Sequence, residues 1–273
     1  MYEDYWQLDR RPFGPENDGC FYYPSETHQG ALLKLRYAVE NRTAAALLAG
    51  PAGAGKTLLV GQLRRHLPES CDRLVHLVFP QMPSCELLAY LADELGTTPG
   101  PATTASLDQS VRRIRDFLIG NAQKGRHAVV VVDEAHLLED CGTLETIRLL
   151  TNFEHEGQPC MTLLLIGQPA ILPVVSRMPA LDERLGVKAL LRPFSLEETV
   201  SYVNHRLTAA GATRTIYDED VLEVLHRRTR GIARQINRLC DLTLLVGYAE
   251  QADRITAHHV ESVAEELVTV LPE

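Results

Sequence analysis

Five stretches of the chain are nearly continuous in apolar residues: TAAALLAG (43–50), RLVHLVFP (73–80), AVVVVDE (128–134), MTLLLIGQ (161–168) and VKALLRPF (187–194). A strand with one solvated face alternates apolar and polar positions, so unbroken runs rich in Val, Leu and Ile predict strands covered on both faces, as in a parallel sheet. Between the runs the spacing becomes helical. Ser25 precedes a segment with Leu32, Leu35 and Val39 on one face, and Ser84 starts ELLAYLADEL before the break at Gly96. Ser106 and Gln109 form a capping box ahead of Val111, Ile114 and Leu118, and Thr143 opens a helix through LETIRLLTNFEHEG. Strands alternating with helices predict an α/β layered domain over residues 1–194.

The strand pattern stops after Phe194. A second capping box, Ser195 with Glu198, begins a run of helices expected at 196–210, 218–229, 232–249 and 257–268, separated by Gly211, Gly231 and the polar QADR. Residues 195–273 therefore read as a small all-helical domain.

Composition narrows the function classes. The 27 basic and 36 acidic side chains leave a formal charge of −9, which repels phosphate backbones at long range. Nucleic-acid binding then depends on local clusters, either Arg112, Arg113 and Arg115 or the Arg227 to Arg238 group, and such clusters are commonly solvated helix faces. The opening MYEDYWQLDRR is acidic and aromatic, unlike a secretory signal, and no run of eighteen apolar residues occurs. Six cysteines at 20, 71, 85, 141, 160 and 240 lack CxxC spacing, which fits reduced thiols in a cytoplasmic protein.

The candidate chemistry begins at GPAGAGKT, which follows the first expected strand and opens the next helix. Glycines at 50, 53 and 55 let the backbone curl until its N–H groups point inward at phosphate oxygens. The expected nucleotide-binding residues are Gly50, Pro51, Ala52, Gly53, Ala54, Gly55, Lys56, Thr57 and Leu58. Lys56 would pair with the β and γ phosphates of ATP, and Thr57 would place its hydroxyl on Mg²⁺. VVVVDEAH then gains a role: Asp133 joins Thr57 at the metal, and Glu134 orients or deprotonates the water that attacks the γ-phosphate. The letters DEAH also name a helicase box. A motor of that kind needs a second tandem α/β domain, for which the helical residues 195–273 leave no room, so His136 reads as the first residue of a post-strand turn.

Together FYYPSETHQGALLKLRYAVENR, GPAGAGKT, VVVVDEAH, LLLIGQP, LDERLGV and GIARQINRLCDLTLL resemble an AAA+ P-loop ATPase, and more narrowly the ATPase module of the general secretion pathway protein A type, related to TniB/TnsC-type transposition ATPases. The resemblance implies a three-layer α/β/α P-loop NTPase fold with a helical lid. It implies that Gln168 serves as sensor 1 and Arg234 as a sensor 2 arginine. Arg184 matches the position of an arginine finger offered to a neighbouring subunit, with Arg177 as rival and a plain surface ion pair as the third reading. Tyr23 or Pro24 would border the adenine, against ordinary core packing. It also implies homo-oligomers with nucleotide at subunit interfaces and an unidentified protein partner. The membrane span and peptidoglycan-binding region of the secretion proteins have no counterpart in these residues. The expected function is Mg²⁺-dependent ATP hydrolysis serving a secretion- or envelope-associated assembly, the alternative being an ATP-gated DNA-binding or transposase-adaptor ATPase.

Overall fold

A computed structural model of the chain describes residues 1–14, 19–97, 106–138 and 141–269. The chain forms two compact units. One comprises residues 27–50 and 56–191, the other residues 1–26, 51–55 and 192–273.

The first unit contains strands β1 (Ala45–Ala49), β2 (Cys71–Leu77), β3 (His127–Val132), β4 (Glu154–His155), β5 (Gln158–Pro159), β6 (Met161–Gly167) and β7 (Leu185–Leu190). Five of them make a parallel sheet in the order β2-β3-β6-β1-β7. Every residue of β1, β3 and β6 is buried, as expected from unbroken apolar runs. Alternate positions Leu47, Val130, Leu163 and Leu165 share a core with Leu88 and Leu91 of helix Ser84–Glu94, Ile114 and Leu118 of Leu107–Gln123, and Ile147 of Cys141–Leu150. The intervening positions Leu48, Val131 and Ile166 are equally buried, so the opposite face is covered too. Helices Glu26–Glu40 and Lys56–Arg65 bury Leu35, Leu59 and Leu63. Each such side chain withdrawn from water contributes about 1.5–3 kcal/mol, which holds the three layers together.

Three local expectations are corrected. Strand β7 is an edge, and its exposure alternates, with Lys188 and Leu190 open to solvent, so it is not covered on both faces. The helix expected from Thr143 through Gly157 runs from Cys141 to Leu150. Its tail instead forms the β4–β5 hairpin, because Glu156 (φ 52°) and Gly157 (φ 73°) take the paired left-handed conformation of a tight two-residue turn. At Ser106 half the capping box forms, the hydroxyl accepting from Gln109 N–H at 3.3 Å.

The second unit holds helices Leu196–Ala209, Glu219–Thr229, Ala233–Ala249 and Ala257–Thr269, matching the four expected. Its capping box is complete: Glu198 N–H donates to Ser195 Oγ at 3.1 Å and Ser195 N–H to Glu198 Oε2 at 2.9 Å. Val203, Leu225, Ile236, Leu244 and Val260 form its core, and Tyr2, Trp6, Phe13 and Phe21 from the chain's start join them. The Trp6 indole N–H donates to Leu244 O at 2.9 Å. Arg206, buried, donates to Pro12 O at 2.6 Å and lies 4.6 Å from the Phe21 ring centroid, an attraction between a cation and a π face that compensates its lost hydration.

Cys20, Cys71, Cys85, Cys160 and Cys240 are free thiols, and the Cys141 side chain lies outside the described residues. Among the described residues no helix is long and apolar enough to cross a membrane.

Candidate functional site

Parallel strands all end at the same edge of a sheet, so the loops after β1, β3 and β6 emerge together. Strand β6 lies between β1 and β3, pairing Ala49 with Gly167 on one side and Val132 with Leu165 on the other. The glycine loop, the paired acids and Gln168 therefore leave adjacent strand ends. Gly50 N–H donates to Gly167 O at 3.1 Å, carrying the ladder one residue beyond β1. A Cβ on Gly50 would stand 2.9 Å from Leu191 Cβ, so the loop leaves the sheet where only glycine fits.

Beyond Gly50, Gly53 (φ 77°) and Gly55 (φ 93°) adopt left-handed backbone that other residues enter with strain. The chain then enters the Lys56–Arg65 helix, whose first N–H groups lack intrahelical acceptors and suit an anion. Lys56 is buried and its ammonium donates to Gly50 O at 3.0 Å. Thr57 Oγ1 donates to Asp133 Oδ2 at 3.0 Å.

Asp133 is 3% exposed and its carboxylate makes three contacts. Its Oδ1 receives Glu134 N–H at 2.9 Å, and its Oδ2 receives Thr57 and lies 3.3 Å from His76 Nε2. Burial pushes this carboxyl up, but the hydrogen bonds from His76, Glu134 N–H and Thr57 together outweigh it and hold the group below the ordinary carboxylate range. A hydroxyl and an ionised carboxylate oxygen in contact are hard donors of the type that Mg²⁺ takes, and Lys56 supplies positive charge for phosphate.

Glu134 is in the left-handed region (φ 50°, ψ 35°) and its side chain is 43% exposed. It begins the 3₁₀ turn Ala135–Leu137. Gln168 follows β6, and its side-chain amide has no hydrogen-bond partner among the described residues. Arg184 N–H groups donate to Thr151 O at 3.3 Å, to Thr151 Oγ1 at 3.1 Å and to Asn152 Oδ1. Arg177 is exposed, with no side-chain partner among the described residues. Arg112, Arg113 and Arg115 are paired with Asp108, Asp93 and Asp116, while Arg227 and Arg228 face Glu261 and Glu265.

Within the second unit, Arg234 N–H donates to Gly53 O at 3.1 Å, and Arg234 is an exposed residue. Tyr23 packs edge-on against Phe194 at 5.8 Å and Tyr202 at 5.7 Å, as core aromatics do.

Two histidines were not picked out by sequence reasoning. His76 gives one signal, a polar residue inside the apolar run RLVHLVFP. His136, read as a turn residue, is in that turn and also accepts Gln168 N–H on Nδ1 at 3.3 Å.

Residues 40–175 match a family described as AAA domain. The chain is 33% identical over 270 residues to general secretion pathway protein A of Aeromonas hydrophila, covering 98% of this chain and 48% of that protein. It thus spans about half the length of the curated relative it matches. Among solved structures, the Aeropyrum pernix ORC2 protein superposes with a TM-score of 0.70 at 15% identity, covering 97% of this chain and 73% of that one. The Thermotoga maritima RuvB branch-migration motor superposes with a TM-score of 0.57 at 20% identity, covering 89% of this chain and 69% of that one. At these identities the likeness establishes the fold.

Proposed function

Because the chain belongs to the AAA+ P-loop NTPases and resembles the module of general secretion pathway protein A, we propose that it binds and hydrolyses ATP with Mg²⁺. The observation that carries this reading is the 3.0 Å contact between Thr57 and Asp133, directly after a buried lysine on the glycine loop. Thr57 and Asp133 would hold Mg²⁺, which when bound neutralises charge on the phosphate oxygens. Lys56 and the loop N–H groups bind the β and γ phosphates. Glu134 accepts or directs a proton of the water that attacks the γ-phosphate, with ADP as the leaving group.

Gln168, whose side-chain amide has no hydrogen-bond partner among the described residues, serves as sensor 1, and Arg234, beside Gly53, as the sensor 2 arginine. A finger arginine, Arg184 or Arg177, acts on the nucleotide of an adjacent copy in a homo-oligomer. The site works in the cytoplasm as a switch or motor for a secretion- or envelope-associated assembly. The similarity to the A. hydrophila protein favours this over a DNA adaptor, and the pairing of Arg112, Arg113, Arg115, Arg227 and Arg228 with acids favours it further.

The test is phosphate release with Mg²⁺ by wild type and Glu134→Gln, alongside nucleotide binding. Wild type is expected to turn over, and the variant to keep binding while losing about 100-fold or more in kcat. Equal turnover by both would remove the role of Glu134, and absence of ATP and ADP binding to wild type would remove the whole reading.

A further inference from the structure

The first unit has a cavity of about 310 Å³ at the edge of the sheet where the strands begin. Arg42, which follows helix Glu26–Glu40, lines it together with Gly125, which follows Leu107–Gln123, and with His155, Glu156 and Gln158 of the β4–β5 hairpin. Arg42 precedes β1, Gly125 precedes β3 and Gln158 precedes β6, whereas the glycine loop and Asp133 lie beyond the far ends of β1 and β3. Five or six residues at ~3.3 Å each put roughly 15–20 Å of strand between the two places. The volume is at the small end of the range for ligand cavities, about 300–1,000 Å³.

Two opposite charges line this cavity without pairing. One Arg42 N–H donates to Gly125 O at 2.9 Å, which fixes the guanidinium, and its other guanidinium N–H groups have no partner among the described residues. The Glu156 carboxylate has no hydrogen bond or ion pair among them either. Elsewhere on the surface such groups find each other, as Arg112 does Asp108 and Arg254 does Asp218. A simple anion drawn to Arg42 meets repulsion from Glu156, and a simple cation meets the converse. A molecule charged at both ends satisfies both groups through charge-assisted hydrogen bonds. Gln158 and His155 add side chains that can both donate and accept.

We propose that this cavity is a binding site for a small zwitterion of the amino-acid class, its carboxylate on the Arg42 guanidinium and its ammonium on the Glu156 carboxylate. The site shares no residue with the glycine loop, so its occupancy does not depend on the hydrolytic reading.

The experiment is calorimetric titration of the full chain with glycine, β-alanine and γ-aminobutyrate, which differ in the distance between their charges, and with butyrate and butylamine as singly charged controls. At least one zwitterion is expected to bind with a Kd of about 1 mM, and both controls at least about tenfold more weakly. Arg42→Gln and Glu156→Gln should each weaken the zwitterion about tenfold or more. Glu156→Gln should also bind butyrate at least as well as wild type, because the repulsion is gone, an effect that structural damage would not produce. Glu156 is exposed in a turn, so this variant decides the matter if Arg42→Gln, which gives up the bond to Gly125, does not fold. In wild type the bound zwitterion should move the ¹⁵N–H resonances of Gly125, His155 and Gly157 and leave those of Gly53 and Gly55 in place. The proposal is overturned if no zwitterion binds below about 10 mM, or if a singly charged control binds as tightly. Unchanged affinity in Glu156→Gln, or resonance shifts confined to the glycine loop, overturns it equally.

Discussion

The Thr57 hydroxyl donates to the Asp133 carboxylate across 3.0 Å, although 76 residues separate them in the chain. One stands in the first turn of the helix after β1 and the other directly after β3, and β6 between those strands sets their separation. Thr57→Val removes the hydroxyl at nearly constant volume. The Mg²⁺-dependent part of ATP affinity should fall about tenfold or more, while affinity measured in EDTA stays near wild type. Titration of a fluorescent nucleotide with and without Mg²⁺ checks this, and equal losses in both conditions would point to general damage to the loop.

If an arginine of a neighbouring copy completes the site, as proposed, complementation identifies it. Arg184 is tied to Thr151 and Asn152 of the same chain, whereas Arg177 is exposed. A finger acts in trans, so an Arg184→Ala protomer retains Glu134 and a Glu134→Gln protomer retains the finger. Mixing the two should restore phosphate release that neither shows alone, to a few tenths of wild type, if Arg184 is the finger. Restoration with Arg177→Ala in place of Arg184→Ala transfers the role to Arg177.

The parts of this site that were legible in the sequence are those whose signal is local. Continuous apolarity marked β1, β3 and β6 because all their residues are buried, and Gly53, Gly55, Lys56 and Thr57 announce themselves by spacing. Ser195 and Glu198 marked a helix start correctly because both halves of that cap are within three residues. The failures have two causes, contacts that are non-local and local signals that are weak. Which side of β2 His76 faces, and that His136 meets Gln168, depend on strand order, which no local pattern encodes. The aromatics Tyr2, Trp6, Phe13 and Phe21 follow neither a helical nor a strand period, so their place in the second core was invisible. Glu156 with Gly157 is a weaker turn signal than Asn-Gly or Asp-Gly, and it was read as a helix tail.

His127 should make the protein sensitive to mild acid. It is 2% exposed, with Nε2 at 2.9 Å from Thr162 Oγ1, and its ring is pushed down to about 4 by burial, with Arg42 adding repulsion. An unfolded histidine titrates near ~6.5, so between that value and about 4 the unfolded chain binds a proton that the folded chain does not. The stabilisation is therefore complete above the upper value and is lost as pH falls through the window, amounting to about 3 kcal/mol. Urea midpoints across this range should fall for wild type and fall less for His127→Gln. Parallel slopes would show that other groups carry the acid sensitivity.

Trp6 and Gly247 should behave as a coupled pair. The Trp6 side chain is fully buried, and a Cβ built on Gly247 would stand 2.9 Å from Trp6 Cζ2 and 2.5 Å from Ile255 Cδ1. Gly247→Ala gains up to ~1 kcal/mol of helix propensity but overpacks this contact, which costs about 1–3 kcal/mol, so the single variant should be destabilised. Trp6→Phe removes the indole ring edge that the methyl meets, together with the N–H donated to Leu244 O, and should cost about 1–3 kcal/mol alone. The methyl then occupies part of the space vacated by the indole, although Ile255 must still give way. The double variant should therefore be more stable than the sum of the single losses by about 0.5–1 kcal/mol. Urea unfolding followed by far-UV ellipticity measures all four proteins on one scale, and strict additivity would mean that Trp6 and Gly247 do not share this packing.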